Sequence, residues 1–224
     1  ISAIVGESKS RKTFLCTALV ASAIAFPYPD RDGFETVTAN YDRRVVWLDT
    51  EQGEQHVRKV ITRINHISGA TRVGREIDER VEVYSLREYK PRERMAVLAD
   101  SIRLHAPDIV VVDGISDLMH NTNDLEESDA LICELMALST QYNFHILTVL
   151  HTNPGSDKAR GHLGSSLQRK AETVIYVHRV GETSVVEPQF CRNEPFERFA
   201  FRIDENGIPE LCDLPRSDAE RNDI

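Results

Sequence analysis

Five short apolar runs, separated by stretches with the spacing of a helix, constrain the fold of this chain most tightly. The runs are "ISAIV" at 1–5, "RVVWLD" at 44–49, "VEVYSL" at 81–86, "DIVVVD" at 108–113 and "FHILTVL" at 144–150. They are rich in Val and Ile and nearly continuous, the pattern of parallel strands covered on both faces. Helical stretches fill the intervals at 12–26, 53–67, 91–104 and 124–142. Met95, Leu98 and Ile102 share a face of the third, and Leu131, Leu135, Leu138 and Tyr142 share a side of the fourth. Such alternation predicts an α/β fold, a mainly parallel sheet flanked by helices and wound by right-handed crossovers. Past residue 171 the pattern changes. "AETVIYVHRV", "SVVEPQFCR" and "ERFAFRI" read as strands joined by short turns such as "GETS", an antiparallel extension of the same sheet. One domain is expected over 1–212, with a long polar loop at 27–43 and a flexible charged tail at 213–224.

The first run leads into "GESKSRKTF", residues 6–14, where Gly6, Lys12 and Thr13 keep the register of the phosphate-binding loop G-x-x-x-x-G-K-[ST]. In such a loop the backbone N–H groups of Gly6, Glu7, Ser8, Lys9, Ser10 and Arg11, with the helix start at Lys12, Thr13 and Phe14, surround a phosphate. Lys12 neutralises the β and γ oxygens, and the Thr13 hydroxyl holds Mg²⁺. Arg11 stands where the motif has its second glycine. It loses freedom at positive φ but keeps its N–H. The expectation is therefore a cradle preserved with Arg11 at helical φ, its cation facing the phosphates or a neighbouring subunit. A basic surface loop that merely resembles the motif is the plain alternative.

Two further strand ends carry acids. "VVWLDTEQGE" ends on Asp49, Thr50 and Glu51, and "PDIVVVDGISDLM" ends its apolar run on Asp113. Ligands of parallel sheets bind at the carboxyl ends of strands. Glu51 is thus expected to act on a water as general base, and Asp113 to support Mg²⁺ in the manner of a Walker B strand. Either acid alone could simply cap the following helix. Three such features at three successive strand ends are hard to assign to chance.

A formal net charge of -9 excludes a polybasic nucleic-acid coat and leaves local basic loops, or a ring of subunits, as the route to a nucleic acid. Cys16, Cys133, Cys191 and Cys212 are scattered without metal-ligand spacing, so reduced thiols in a cytoplasmic protein are expected. No apolar run approaches the roughly 20 residues of a membrane span, and no secretory leader is legible. The chain starts inside a strand without Met, which suggests a piece of a longer protein.

The order of these parts resembles a RecA-type ATPase and, within that group, hexameric replicative helicases of the DnaB and RepA type. "ELMALSTQYNFHILTVLHTN" at 134–153 is similar to the family's helix and sensor strand, with His151 at the sensor position. "KARGHLGSSLQRKAETVIYVHR" at 158–179 resembles its following loop, helix and strand. "QFCRNEPFERFAFRID" resembles the K-x-R-N-G-P hairpin, which puts Arg192 at the inter-subunit arginine-finger position. Phe190 replaces the hairpin's usual Lys and Glu194 its Gly.

The resemblance implies a RecA-like three-layer fold, ATP and Mg²⁺ as nucleotide and cation, a hexameric ring, and single-stranded DNA as partner. Lys12, Glu51, Asp113, His151 and Arg192 would be catalytic, and Thr13 and Asp113 would hold the metal. Lys158, Arg160 and His162, in a polar loop suited to motion, would meet a nucleic-acid backbone in the ring's channel. That loop carries no aromatic for base stacking, so sequence readout is not expected. For each residue a bland reading stays open: a buried structural His, an ordinary surface loop, a surface Arg on a hairpin. Two other functions also stay open. One is a regulatory RecA-type ATPase of the KaiC or RadA kind, and the other is a degenerate nucleotide-binding scaffold. The adenine site is not legible beyond aromatic or apolar groups near Phe196.

Overall fold

A computed structural model describes residues 1–26, 34, 39–74, 80–153 and 155–215. Most of the expected loop at 27–43, and the expected tail from residue 216 onward, lie outside the described residues.

The chain alternates as its apolar pattern requires. Strand β1 (Ser2–Gly6) leads to α1 (Lys12–Ala23), β2 (Val45–Asp49) to α2 (Glu54–Ile67), and β3 (Val81–Ser85) to α3 (Pro91–His105). Strand β4 (Ile109–Asp113), a 3-10 turn (Ile115–Leu118) and α4 (Leu125–Tyr142) follow. Then come β5 (His145–His151), α5 (Gly161–Lys170), β6 (Thr173–Val180), β7 (Thr183–Cys191), β8 (Phe199–Ile203) and β9 (Pro209–Cys212). Among the described residues the nine strands form one sheet in the order β3-β2-β4-β5-β1-β6-β7-β8-β9. It is parallel from β3 through β6 and antiparallel from β6 to β9.

Because successive strand residues face opposite ways, each central strand feeds two cores. Ala3 and Val5, Val46 and Leu48, and Val110 and Val112 join one cluster with Leu98, Ile102, Leu131, Leu135 and Leu163 of α3, α4 and α5. Ile4, Val45, Trp47 and Val111 join the other, with Leu15, Val20, Val60 and Ile64 of α1 and α2. Helices therefore cover both faces, and the fold is the RecA-like three-layer α/β architecture with a C-terminal antiparallel extension.

Two details depart from the sequence reading. Helix α1 ends at Ala23 rather than residue 26. The Phe26 N–H leaves the helix for the carbonyl of Ser68 (2.9 Å), and the residue before a proline disfavours helical backbone. The edge strand β9 was not expected. Its signal is "NG" at 206–207, a turn dipeptide that lets β8 fold back on itself.

Candidate active site

Strands β2, β4, β5 and β1 are neighbours, so their carboxyl ends line one rim. In register, Asp49 stands opposite Asp113 and Gly6 opposite His151. The sheet thereby gathers residues spread over more than half the chain.

The loop between β1 and α1 starts on a glycine for want of space: a Cβ on Gly6 would lie 2.1 Å from the Val177 carbonyl oxygen of β6. Lys9 and Arg11 both take left-handed backbone, at φ 62 and φ 72. Arg11 therefore does not sit at helical φ, as the sequence reading required. It adopts the conformation of the glycine it replaces. Nor does its cation face the rim or project freely outward. Nη1 donates to the Glu182 carbonyl (2.6 Å) and Nη2 meets Glu182 Oε2 (3.2 Å), on the turn between β6 and β7.

Lys12 is buried, with its ammonium folded onto its own loop. Nζ donates to the carbonyls of Gly6 (3.0 Å) and Glu7 (2.7 Å) and reaches His151 Nδ1 at 3.1 Å. Burial lowers its pKa to about 8 against the pull of Glu51 and Asp113. The other ring nitrogen, His151 Nε2, lies 3.2 Å from Glu51 Oε1. An ammonium can only donate, so Nδ1 accepts, which assigns the ring proton to Nε2 and makes it the donor to Glu51. That hydrogen bond, ahead of any charge, holds the Glu51 carboxyl below its ordinary range. Lys12, His151 and Glu51 form one chain across the rim.

On the opposite side Thr13 Oγ1 donates to Asp113 Oδ2 (2.8 Å). Burial, and then the charge of Asp49, push Asp113 up to about 7. Asp49, which the sequence reading noted but did not select, stands beside Asp113 on this rim. Its Oδ1 accepts the N–H groups of Glu51 (3.1 Å) and Gln52 (2.7 Å), fixing the backbone that presents Glu51. Its Oδ2 is buried without a hydrogen-bond partner. Two buried carboxyls beside a hydroxyl are short of positive charge, the donor set that a hard divalent cation satisfies. Among the described residues no three His, Cys, Asp or Glu side chains form a metal cage, so such a cation would draw its remaining oxygens from nucleotide and water.

The other candidates lie outside this rim. Half-buried Phe14 carries the Arg63 guanidinium over its ring at 4.0 Å. Phe196 packs beside Phe199 at the margin of the α1–α2 core. Arg192 sits toward the other end of the sheet. Its Nε donates to the carbonyl of Ala171 (3.3 Å) and its Nη2 to that of Lys170 (3.4 Å). Lys158, Arg160 and His162 are exposed around the start of α5. Their loop is more tightly organised than a sequence rich in Gly and Ser suggests. Thr152 bridges Ala159, and the Arg160 N–H donates to the His151 carbonyl (3.0 Å).

A strand-to-helix loop that sets a lysine and a threonine against an acidic rim is what P-loop nucleotide hydrolases share, and fold and site together place the chain in that class. Residues 1–157 match the model of the AAA domain family, and the chain belongs to that family. A comparison with curated proteins found no match.

Proposed function

We propose that this domain is a Mg²⁺-dependent ATPase working as a ring-forming motor on single-stranded DNA, in the replication or mobilisation of a mobile element. The observation that carries the ATPase reading is the chain Lys12–His151–Glu51 facing the Thr13–Asp113 pair across one rim.

Each residue then has a task. Lys12 exchanges two loop carbonyls for the β and γ oxygens of the nucleotide, a stronger, charge-assisted set of bonds. Its departure frees Nδ1 of His151, which makes His151 sensitive to whether a γ-phosphate is present. Glu51, steered by His151 Nε2 and by the Asp49-bound backbone, orients the attacking water and takes its proton. Thr13 and Asp113 would hold Mg²⁺, which supplies neutralising charge to the phosphate oxygens. Arg192 lies away from its own rim, as a group offered to a neighbouring subunit's nucleotide must. Exposed Lys158, Arg160 and His162 would meet the DNA backbone, coupled to the rim through the Arg160–His151 backbone bond.

The test is ATP turnover with and without single-stranded DNA, alongside the mass of the assembled particle. Lys12→Ala is expected to lower kcat/KM by about 100-fold or more, the scale of losing one electrostatic stabiliser of the transition state. Unchanged turnover in that variant sinks the ATPase assignment. Turnover indifferent to DNA in a particle with the mass of one chain sinks the motor.

A further inference from the structure

The expected DNA-binding loop has no aromatic of its own, but the fold brings one to it. Phe190, on β7, is 51% exposed and helps line a groove of about 870 Å³ together with Lys158, His162, Asn153, Gln168 and Gln189. Hydrogen bonds join its walls. Gln189 Nε2 donates to the Asp157 carbonyl (2.8 Å), and Gln168 Nε2 donates to Gln189 Oε1 (3.5 Å). The Asn153 N–H donates to the Lys158 carbonyl (2.9 Å). A chain of amides thus ties β7, α5 and the loop after β5 around one ring.

We infer that this groove is a nucleobase subsite for single-stranded DNA. This rests on the nucleic-acid part of the function proposed above and adds to it the residue that holds a base. The Phe190 ring stacks on the base, a contact every base can make because every base has a π-face. Side-chain amides of Asn153 and Gln189 offer donors and acceptors to its edge, as amides do elsewhere in base recognition. Lys158 and His162 meet the flanking phosphates, while the Asp157 carboxylate on the same lining turns the backbone toward them. The occupant is a nucleobase rather than an apolar peptide, because amides and charged groups surround the single ring.

Fluorescence anisotropy of a labelled 20-nucleotide oligo-dT tests this, with wild type, Phe190→Ala and Phe190→Trp compared at one salt concentration. Phe190→Ala is expected to weaken binding by about 5- to 100-fold, and Phe190→Trp to restore it, as loss and return of one stack require. Oligonucleotides carrying abasic sites should bind wild type more weakly and leave Phe190→Ala indifferent to the missing bases. Equal affinity of wild type and Phe190→Ala, with wild type binding well, overturns this inference and leaves the proposed function standing. Wild type that binds no single strand removes the DNA part of that function and this subsite with it. Loss of particle mass in Phe190→Ala, with abasic and intact strands bound alike, assigns the ring to a subunit contact and overturns the subsite.

Discussion

At the scale of single residues, Arg11 separates two effects that usually travel together. Its left-handed backbone costs about 1–2 kcal/mol relative to a right-handed one, a cost glycine would not bear. Its guanidinium, bonded to Glu182, offsets that cost, and strained residues persist only where their surroundings over-determine them. Arg11→Gly removes both strain and tether, so its stability in urea should stay within about 1 kcal/mol of wild type. Arg11→Ala keeps the strain and loses the tether, and should be less stable by about 1–2 kcal/mol. An alanine variant as stable as the glycine variant would show that Arg11 adopts its backbone for some other reason. Asp113 makes a second residue-scale case. Its folded pKa of about 7 lies above the unfolded value, so the native state holds the proton more tightly. Stability from that proton is complete at low pH and is lost as pH rises through about 7. Without Mg²⁺ or nucleotide, Asp113→Asn should therefore be more stable than wild type at pH 8, by on the order of 2 kcal/mol, and should lose most of that advantage by pH 5. The same variant should lose turnover. A constant difference across that range would mean that the carboxyl is not destabilised by ionisation.

At the scale of elements, α5 and the loop before it meet backbone to backbone. A Cβ on Gly164 would fall 2.5 Å from the carbonyl carbon and oxygen of Ala159, neither of which is the tip of a flexible side chain. Gly164→Ala is thus expected to push the helix from the loop at a cost of about 1–3 kcal/mol, read by chemical denaturation. Because the loop also carries Lys158 and Arg160, the variant should weaken the proposed DNA binding as well. An unchanged midpoint would show that α5 can shift freely. Elements of this kind were legible in the sequence for a physical reason. Strands covered on both faces must be apolar nearly throughout, so β1, β2, β4 and β5 appear as nearly continuous apolar runs, and the rim residues lie at or just past their ends. What escaped detection depends on distant partners. No local pattern ties Arg11 to a turn 171 residues away, and none tells that Phe190 will stand beside Lys158. Asp49 was visible as one acid among several. What sets it apart is full burial beside Asp113, which only the β2–β4 register creates.

At the scale of the molecule, charge limits how the proposed binding of single-stranded DNA could work. With a net charge of -9 the chain as a whole repels a polyanion, so any affinity must come from short-range contacts at the groove and from the number of subunits engaged. For single strands, each phosphate neutralised contributes roughly -0.7 to the slope of log K against log salt. Lys158 and Arg160 in one subunit therefore predict a slope of roughly -1.4, and a strand held by several subunits multiplies it by their number. Lys158→Ala should flatten the slope by roughly 0.7 per engaged subunit. Phe190→Ala, which removes a stack and no charge, should displace the line to weaker binding without changing its slope. The two variants thus separate electrostatic from stacking affinity, and the wild-type slope divided by the single-subunit value counts the subunits on the strand. If Lys158→Ala and Phe190→Ala shift the line in the same parallel manner, Lys158 makes no phosphate contact, and the proposed DNA binding has no electrostatic part from the basic loop.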